Sequence, residues 1–146
     1  MNIHAINESN SLWLSVAEYA ETCSWDACAR MATAMRAGKF NDWEKLFVAE
    51  ENGVFMGFGA LLKPPNYPGQ ENNPLVKWIF VDEKYRGKRI SKKIIDVAAE
   101  YAKNLGYEKI CLTTWHEGLY EKYGFVKMYE QEIRNGHVEG VYERKL

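Results

Sequence analysis

The stretch from Val76 to Leu105 constrains the fold most. Val76-Lys77-Trp78-Ile79-Phe80-Val81 is a short, mostly apolar run that reads as a strand buried on both faces and therefore central in a sheet. The chain then turns through Asp82-Glu83-Lys84-Tyr85 and Arg86-Gly87-Lys88-Arg89 into a new period. Ile90, Ile94, Val97, Ala98, Tyr101, Ala102 and Leu105 predict the buried face of a helix of about four turns, ended by Gly106. Lys109 to Thr114 follows as another strand. A central strand, a long amphipathic helix and a further strand in succession imply a sheet with helices packed on it.

The remaining segments fit that frame. Near the start, Ser9-Asn10-Ser11 offers capping oxygens ahead of a helix marked by Leu12, Val16, Tyr19, Ala20 and Cys23. Ser24 is placed to cap a second helix, whose face is Cys28, Met31, Ala32 and Met35 and whose exit is Gly38. Leu46 to Ala49 and Val54 to Leu62 flank Asn52-Gly53, a hairpin signal. Pro64, Pro65, Pro68 and Pro74 make the next segment an irregular loop. Glu117 to Lys122 allows one or two helical turns closed by Gly124, and Phe125 to Ile133 and Val138 to Lys145 flank a second turn signal, Asn135-Gly136. The expected order is α-α-β-β-β-α-β-α-β-β. This predicts one α/β domain over residues 1–146, with a mixed, mostly antiparallel sheet flanked by helices.

Composition excludes several function classes. A chain of 146 residues is the size of one domain. At that length it buries roughly 70% of its unfolded surface, so it needs neither disulfides nor a metal to hold together. Cys23, Cys28 and Cys111 form no Cys-x-x-Cys pair and are joined by no histidine cluster, so no metal site is expected. The first ten residues are polar, and nowhere does the chain approach the ~20 apolar residues of a membrane span. The expectation is a cytoplasmic protein with reduced cysteines. Net charge is −1, so nucleic-acid binding would have to come from a local patch.

One such patch exists. Lys84, Arg86, Lys88, Arg89, Lys92 and Lys93 occur with no intervening acid, where the central strand hands over to the long helix. A helix N-terminus presents unpaired N–H groups and partial positive charge, and it binds anions before any side chain is added. Lysine and arginine there add charge-assisted hydrogen bonds to a polyphosphate. The same run also suits a solvated helix face or a nucleic-acid contact.

Phe80 to Ser91 resembles the coenzyme A loop of the GNAT acetyltransferase superfamily, Arg/Gln-x-x-Gly-x-Gly/Ala after a strand ending in valine. Leu119-Tyr120-Glu121-Lys122-Tyr123-Gly124-Phe125 is similar to a second element of that superfamily, Leu-Tyr-Glu-Lys-x-Gly-Phe. The two elements stand in the superfamily's order, separated by the helix and strand deduced above. The resemblance covers Leu46 to the C-terminus well and the first forty residues loosely. Two loop positions depart from the pattern: Arg89 replaces a glycine, and Ser91 replaces a glycine or alanine. Glycine there permits positive φ and close approach of phosphate, so this loop is expected to grip more through side chains. Trp115-His116-Glu117-Gly118 stands where the superfamily often has an asparagine and an alanine on a longer helix.

The resemblance implies transfer of an acetyl group from acetyl-CoA to an amine, either a small molecule or a protein lysine or N-terminus. It implies that Phe80, Val81, Arg86, Gly87, Lys88, Arg89, Ile90 and Ser91 bind the cofactor. A backbone N–H near Phe80 would face the thioester oxygen, and Tyr120 would act as general acid, since a phenol of reference pKa ~10 stays protonated near neutrality. No general base is assigned among Glu50, Glu51, Asp82, Glu83, His116 and Glu117. Lys77 and Trp78 are candidates to face the acceptor, as are Tyr19, Trp25 and Tyr67. The acceptor pocket is expected from the N-terminal helices and the Pro64–Pro74 loop. Alternatives are a non-catalytic acyl-CoA sensor of the same fold, or a nucleic-acid-binding domain using residues 84–93. An exposed edge on the C-terminal hairpin could pair two chains as a homodimer.

Overall fold

The computed structural model describes all 146 residues. They form β1 (Asn2–Ile6), α1 (Trp13–Glu21), α2 (Asp26–Arg36), β2 (Lys45–Glu51), β3 (Val54–Leu62), β4 (Leu75–Val81), α3 (Ile90–Asn104), β5 (Lys109–Thr114), β6 (Val126–Arg134) and β7 (His137–Lys145). Single 3-10 turns cover Glu83–Tyr85 and Tyr120–Tyr123. All seven strands join one sheet in the order β1-β2-β3-β4-β5-β7-β6. Every neighbouring pair is antiparallel except β4 and β5, which run parallel and are connected through α3.

Alternation along β2 creates the layers. Leu46 and Val48 face one cluster with Val16, Ala20, Met31 and Met35 of α1 and α2. Phe47 and Ala49 face the other, with Ile90, Ile94, Ala98 and Ala102 of α3. Successive side chains on a strand point to opposite faces, so a single apolar run serves two cores. The sheet is thus sandwiched between α1 and α2 on one side and α3 on the other.

Local chemistry explains the turns. Asn52 and Gly53 both have positive φ (52° and 80°), as do Asn135 and Gly136 (49° and 76°). That is the two-residue hairpin geometry these pairs favour. At the start of α1, the Asn10 side chain accepts from Leu12 N–H at 2.9 Å. Ser24 makes no corresponding bond at α2, where Trp25 occupies the cap position without a side-chain contact.

Three further expectations change. Asn2–Ile6 is an edge strand paired with β2 from Asn2↔Glu50 to Ile6↔Leu46, where the sequence had suggested a polar start. Its pattern is mostly exposed, with only Ile6 fully buried, so it carries little hydrophobic signal. On α3 the buried stripe includes Ile95 and Ala99, whereas Val97 and Leu105 are exposed. β4 is not buried on both faces: Lys77 is exposed, and Trp78, Ile79 and Val81 are only half-buried.

The reason for that last difference is how β4 and β5 meet. Leu75↔Cys111 is their one ladder pair, supported by Cys111 N–H donating to Pro74 O at 2.9 Å. Beyond it the strands diverge, and the edge of β4 facing β5 has no strand partner. On its other edge β4 stays paired with β3, with a register shift between Phe58 and Ala60 opposite Trp78 and Ile79. Trp78 takes φ 58°, so the extra residue of this bulge sits in the left-handed region. Gly57 lets β3 and β4 close up, because a Cβ there would lie 2.5 Å from the Phe80 carbonyl oxygen.

Candidate active site

Two regions meet along β4. At its C-terminal end the chain passes through the 3-10 turn into the basic loop. Gly87 has φ 87° and Arg89 φ 57°, and Arg89 is the residue immediately before α3. Arg89 has the backbone that glycine would supply, and its side chain makes no capping bond. Arg86 turns back instead, its Nε donating to Val81 O at 3.1 Å and fastening the loop to β4. Lys88 lies over the Tyr85 ring at 5.9 Å.

Not all the positive charge is free. Lys92 pairs with Asp96 at 2.6 Å, and Asp96 also accepts from Arg144 at 2.9 Å. Ser91 Oγ sits 2.8 Å from the Tyr123 hydroxyl, tying the first turn of α3 to the 3-10 turn that bears Tyr120. Lys84, Arg89 and Lys93 make no ion pair. The result is a helix N-terminus with glycine and left-handed backbone beneath it and unpaired cations around it, an arrangement whose electrostatics favour a polyanion.

Backbone direction on β4 follows from one bond. Asp82 N–H donates to Met56 O on β3 at 2.9 Å. N–H groups alternate sides along a strand, so the Phe80 N–H also faces β3 and the Val81 N–H faces the unpaired edge. The backbone N–H near Phe80 that faces the unpaired edge is therefore that of Val81. The Phe80 side chain is buried against Phe58 at 5.3 Å and Trp25 at 5.8 Å.

Where β4 and β5 diverge there is a cavity of about 340 Å³. Its walls come from Trp25 before α2, Asp26, Ala27 and Arg30 of α2, Leu75 to Ile79 of β4, the end of β5 through His116, Tyr67, Tyr120 and the β6–β7 hairpin. Tyr120 stands edge-on to Tyr123 (5.9 Å) and Phe125 (6.2 Å). Burial, and secondarily the neighbouring Tyr123, push its phenol up to about 12. It is therefore protonated at neutral pH and able to donate. His116 is exposed and stacked on Trp115 at 3.9 Å, and its N–H caps back to Thr114 Oγ1 at 3.1 Å. Trp78 Nε1 is the one buried side-chain polar atom with no hydrogen-bond partner.

The structure therefore divides the expected residues between two ends. Arg86 to Ser91 gather at the α3 N-terminus, Tyr120 stands in the cavity, and Phe80 and Val81 bridge the two along β4. Trp25, Tyr67, Lys77, Trp78 and His116 line the cavity; Tyr19 does not, because its hydroxyl bonds Asp82 at 3.2 Å. The hairpin residues Ile133, Arg134, His137 and Glu139, and Arg30 of α2, also line it and had no distinguishing signal. The turn Asn135-Gly136 marked a hairpin but not the cavity at its base. No group of three or more His, Cys, Asp or Glu side chains is placed to hold a metal ion, and no helix is long and apolar enough to cross a membrane.

Solved structures share this architecture along nearly the whole chain. An IAA acetyltransferase from Bacillus cereus is 22% identical with TM-score 0.67, covering 99% of both chains. A variant of a spermidine N-acetyltransferase from Vibrio cholerae is 16% identical with TM-score 0.69, covering 99% of this chain and 92% of its own. An acetyltransferase from Salmonella typhimurium, determined with its cofactor acetyl-CoA, is 14% identical with TM-score 0.69, covering 99% and 93%. At these identities the likeness concerns the fold. No protein with a curated description matches the chain in sequence. The family model of the acetyltransferase (GNAT) domain matches residues 42–127, from the residues preceding β2 into β6. That span contains both the basic loop and Tyr120, and the chain belongs to the GNAT acetyltransferase family.

Proposed function

We propose that the protein transfers an acetyl group from acetyl-CoA to an amine, with Tyr120 as general acid. One observation carries this reading. The unpaired edge of β4 runs from a cavity holding Tyr120 to a helix N-terminus bearing unpaired cations. An extended, hydrogen-bonding chain with a polyphosphate at one end fits such a track, since the strand edge offers N–H and C=O groups to its amides. When bound, acetyl-CoA supplies the activated acetyl thioester. Lys88, Arg89, Lys93 and the first N–H groups of α3 hold the pyrophosphate, with Gly87 allowing close approach. Arg86 fixes the loop through Val81 O and acts by positioning.

Val81 N–H points off the free edge of β4 and serves as the fixed donor where negative charge develops. Tyr120 keeps its proton in its buried setting and delivers it to the departing sulfur. The cavity excludes bulk water from one side of the reacting centre and receives the acceptor. The spermidine N-acetyltransferase of the same fold takes an amine, which supports amines as the acceptor class.

Calorimetric titration with acetyl-CoA tests the first half, and absence of binding at millimolar ligand would sink it. Thiol release measured against a broad amine panel tests the second. Tight binding with no release above the hydrolytic background would make the chain a sensor of acyl-CoA rather than a transferase.

A further inference from the structure

The cavity is charged in a way the transfer reaction itself does not require. Arg30 reaches it from α2, Lys77 from β4 and Arg134 from the end of β6. No carboxylate lies within ion-pair distance of any of the three. Two carboxylates share the walls, Asp26 and Glu139, the latter 3.1 Å from His137 Nε2. Partial enclosure of its ammonium, then the charges of Arg134 and Arg30, hold Lys77 below its usual range, with Glu139 opposing, so Lys77 feels both arginines across the same space. Its Nζ rests 4.8 Å over the Trp78 ring, a weak substitute for a counter-ion.

The walls carry three cations against two carboxylates. The cations come from three separate elements and outnumber the carboxylates, which leaves the concavity net positive and favours an anion. The cations at the α3 N-terminus are a separate set and do not line this cavity. An anion received here would belong to the acceptor and not to the pyrophosphate.

We propose that the acceptor is an amine that carries a carboxylate, of the amino-acid class, with the carboxylate held by Arg30, Arg134 and Lys77. The two guanidiniums present planar forks that match a carboxylate, and Lys77 adds a point charge. Trp25, Tyr67 and Trp78 supply an apolar wall for the body of the molecule. A polyamine would bring a second positive charge into this wall and be disfavoured, so specificity comes from repulsion as well as attraction. This inference rests on the acetyl-transfer reading for the identity of the other substituent, the amine.

The experiment separates the two. Calorimetric titrations compare N-acetyl-L-phenylalanine with its neutral amide, and N-acetylglycine with its amide; within each pair a carboxylate is exchanged for a neutral carboxamide of nearly the same shape. Each acid is expected to bind at least about tenfold more tightly than its amide, and Arg30→Gln with Arg134→Gln together should erase the difference. Both arginines are exposed and make no side-chain hydrogen bond, so neither substitution removes packing, and a circular dichroism melt checks that the fold is kept. Arg134→Lys should keep part of the preference, because the charge remains while the fork is lost. Equal affinity for acid and amide in both pairs overturns the proposal, as does a preference untouched by the double substitution. Thiol release from acetyl-CoA is followed in parallel with phenylalanine, phenylalaninamide and spermidine. Failure of every amine to release thiol while the acid preference stands refutes acetyl transfer and leaves the anion site. Brisk release with no acid preference in binding does the reverse.

Discussion

Arg89 holds a conformation that L-residues avoid, φ 57° and ψ 32°, at the residue that opens α3. The left-handed region costs a residue with a Cβ about 1–2 kcal/mol. Its guanidinium is exposed, makes no ion pair, and sits with Lys88, Lys92 and Lys93 at the positive end of a helix dipole, which adds about 0.3–1 kcal/mol of repulsion. Arg89→Gly removes both terms. It also brings back the extra freedom of glycine in the unfolded chain, about 0.5–1 kcal/mol. The balance is a gain of about 1 kcal/mol, which for a domain of this size raises Tm by about 2–4 °C. The opposite result is expected for ligand. Loss of a charge-assisted bond to phosphate, about 1.5–3 kcal/mol, weakens coenzyme A binding by about ten- to a hundredfold. Thermal melts of the ligand-free protein and calorimetric titration with coenzyme A read the two effects separately. A fall in Tm would show that the loop is not strained at Arg89. Unchanged affinity would show that its guanidinium does not reach the phosphates, and either result refutes the view that this position gave up backbone ease for charge.

Other perturbations test other parts of the site. Tyr120→Phe should lower turnover by about a hundredfold or more while leaving the Kd for acetyl-CoA within a factor of two or so, measured by thiol release and calorimetry. Gly57→Ala sets a Cβ 2.5 Å from Phe80 O, so β3 and β4 must separate; a loss of about 1–3 kcal/mol in a urea melt is expected, as for other overpacked sites. Glu143 is held below the usual carboxylate range chiefly by its bond from Lys109, against burial, with Gln70 assisting. A depressed carboxyl contributes stability above its unfolded pKa and loses it as pH falls through the folded value. Glu143→Gln should therefore flatten the decline of stability below about pH 4.5, followed as urea midpoints across pH.

Local signals in the sequence were reliable where one short stretch determines its own geometry. The two Asn-Gly turns, the α2 face of Cys28, Met31, Ala32 and Met35, and the break between β4 and α3 are of this kind. Where geometry depends on a distant partner the sequence was silent. Asn2–Ile6 becomes a strand because β2 offers an edge, and its own residues alternate too weakly to announce it. Val97 falls outside the buried stripe of Ile90, Ile94, Ile95, Ala98, Ala99 and Ala102, and Leu105 follows the last residue of α3, so both stay exposed although they continue its period. Tyr120 and the basic loop were legible because they fall in contiguous motifs. Arg30 and Arg134 were not, since nothing near either in the chain marks it. Only the divergence of β4 from β5 brings the helix and the hairpin to a common cavity.

That divergence has a consequence for solubility as well as for binding. A sheet normally exposes its unpaired backbone at two outer edges, where foreign strands can add and begin aggregation. Here β4 contributes a third edge, but an interior one, with α2, β5 and the 3-10 turn at Tyr120 around its cavity. A strand arriving from another molecule would have to thread between these elements, whereas a slim chain without bulky alternating side chains would not. The protein thus keeps its stickiest backbone where steric exclusion selects what may pair with it, and the outer edges are left to β1 and β6.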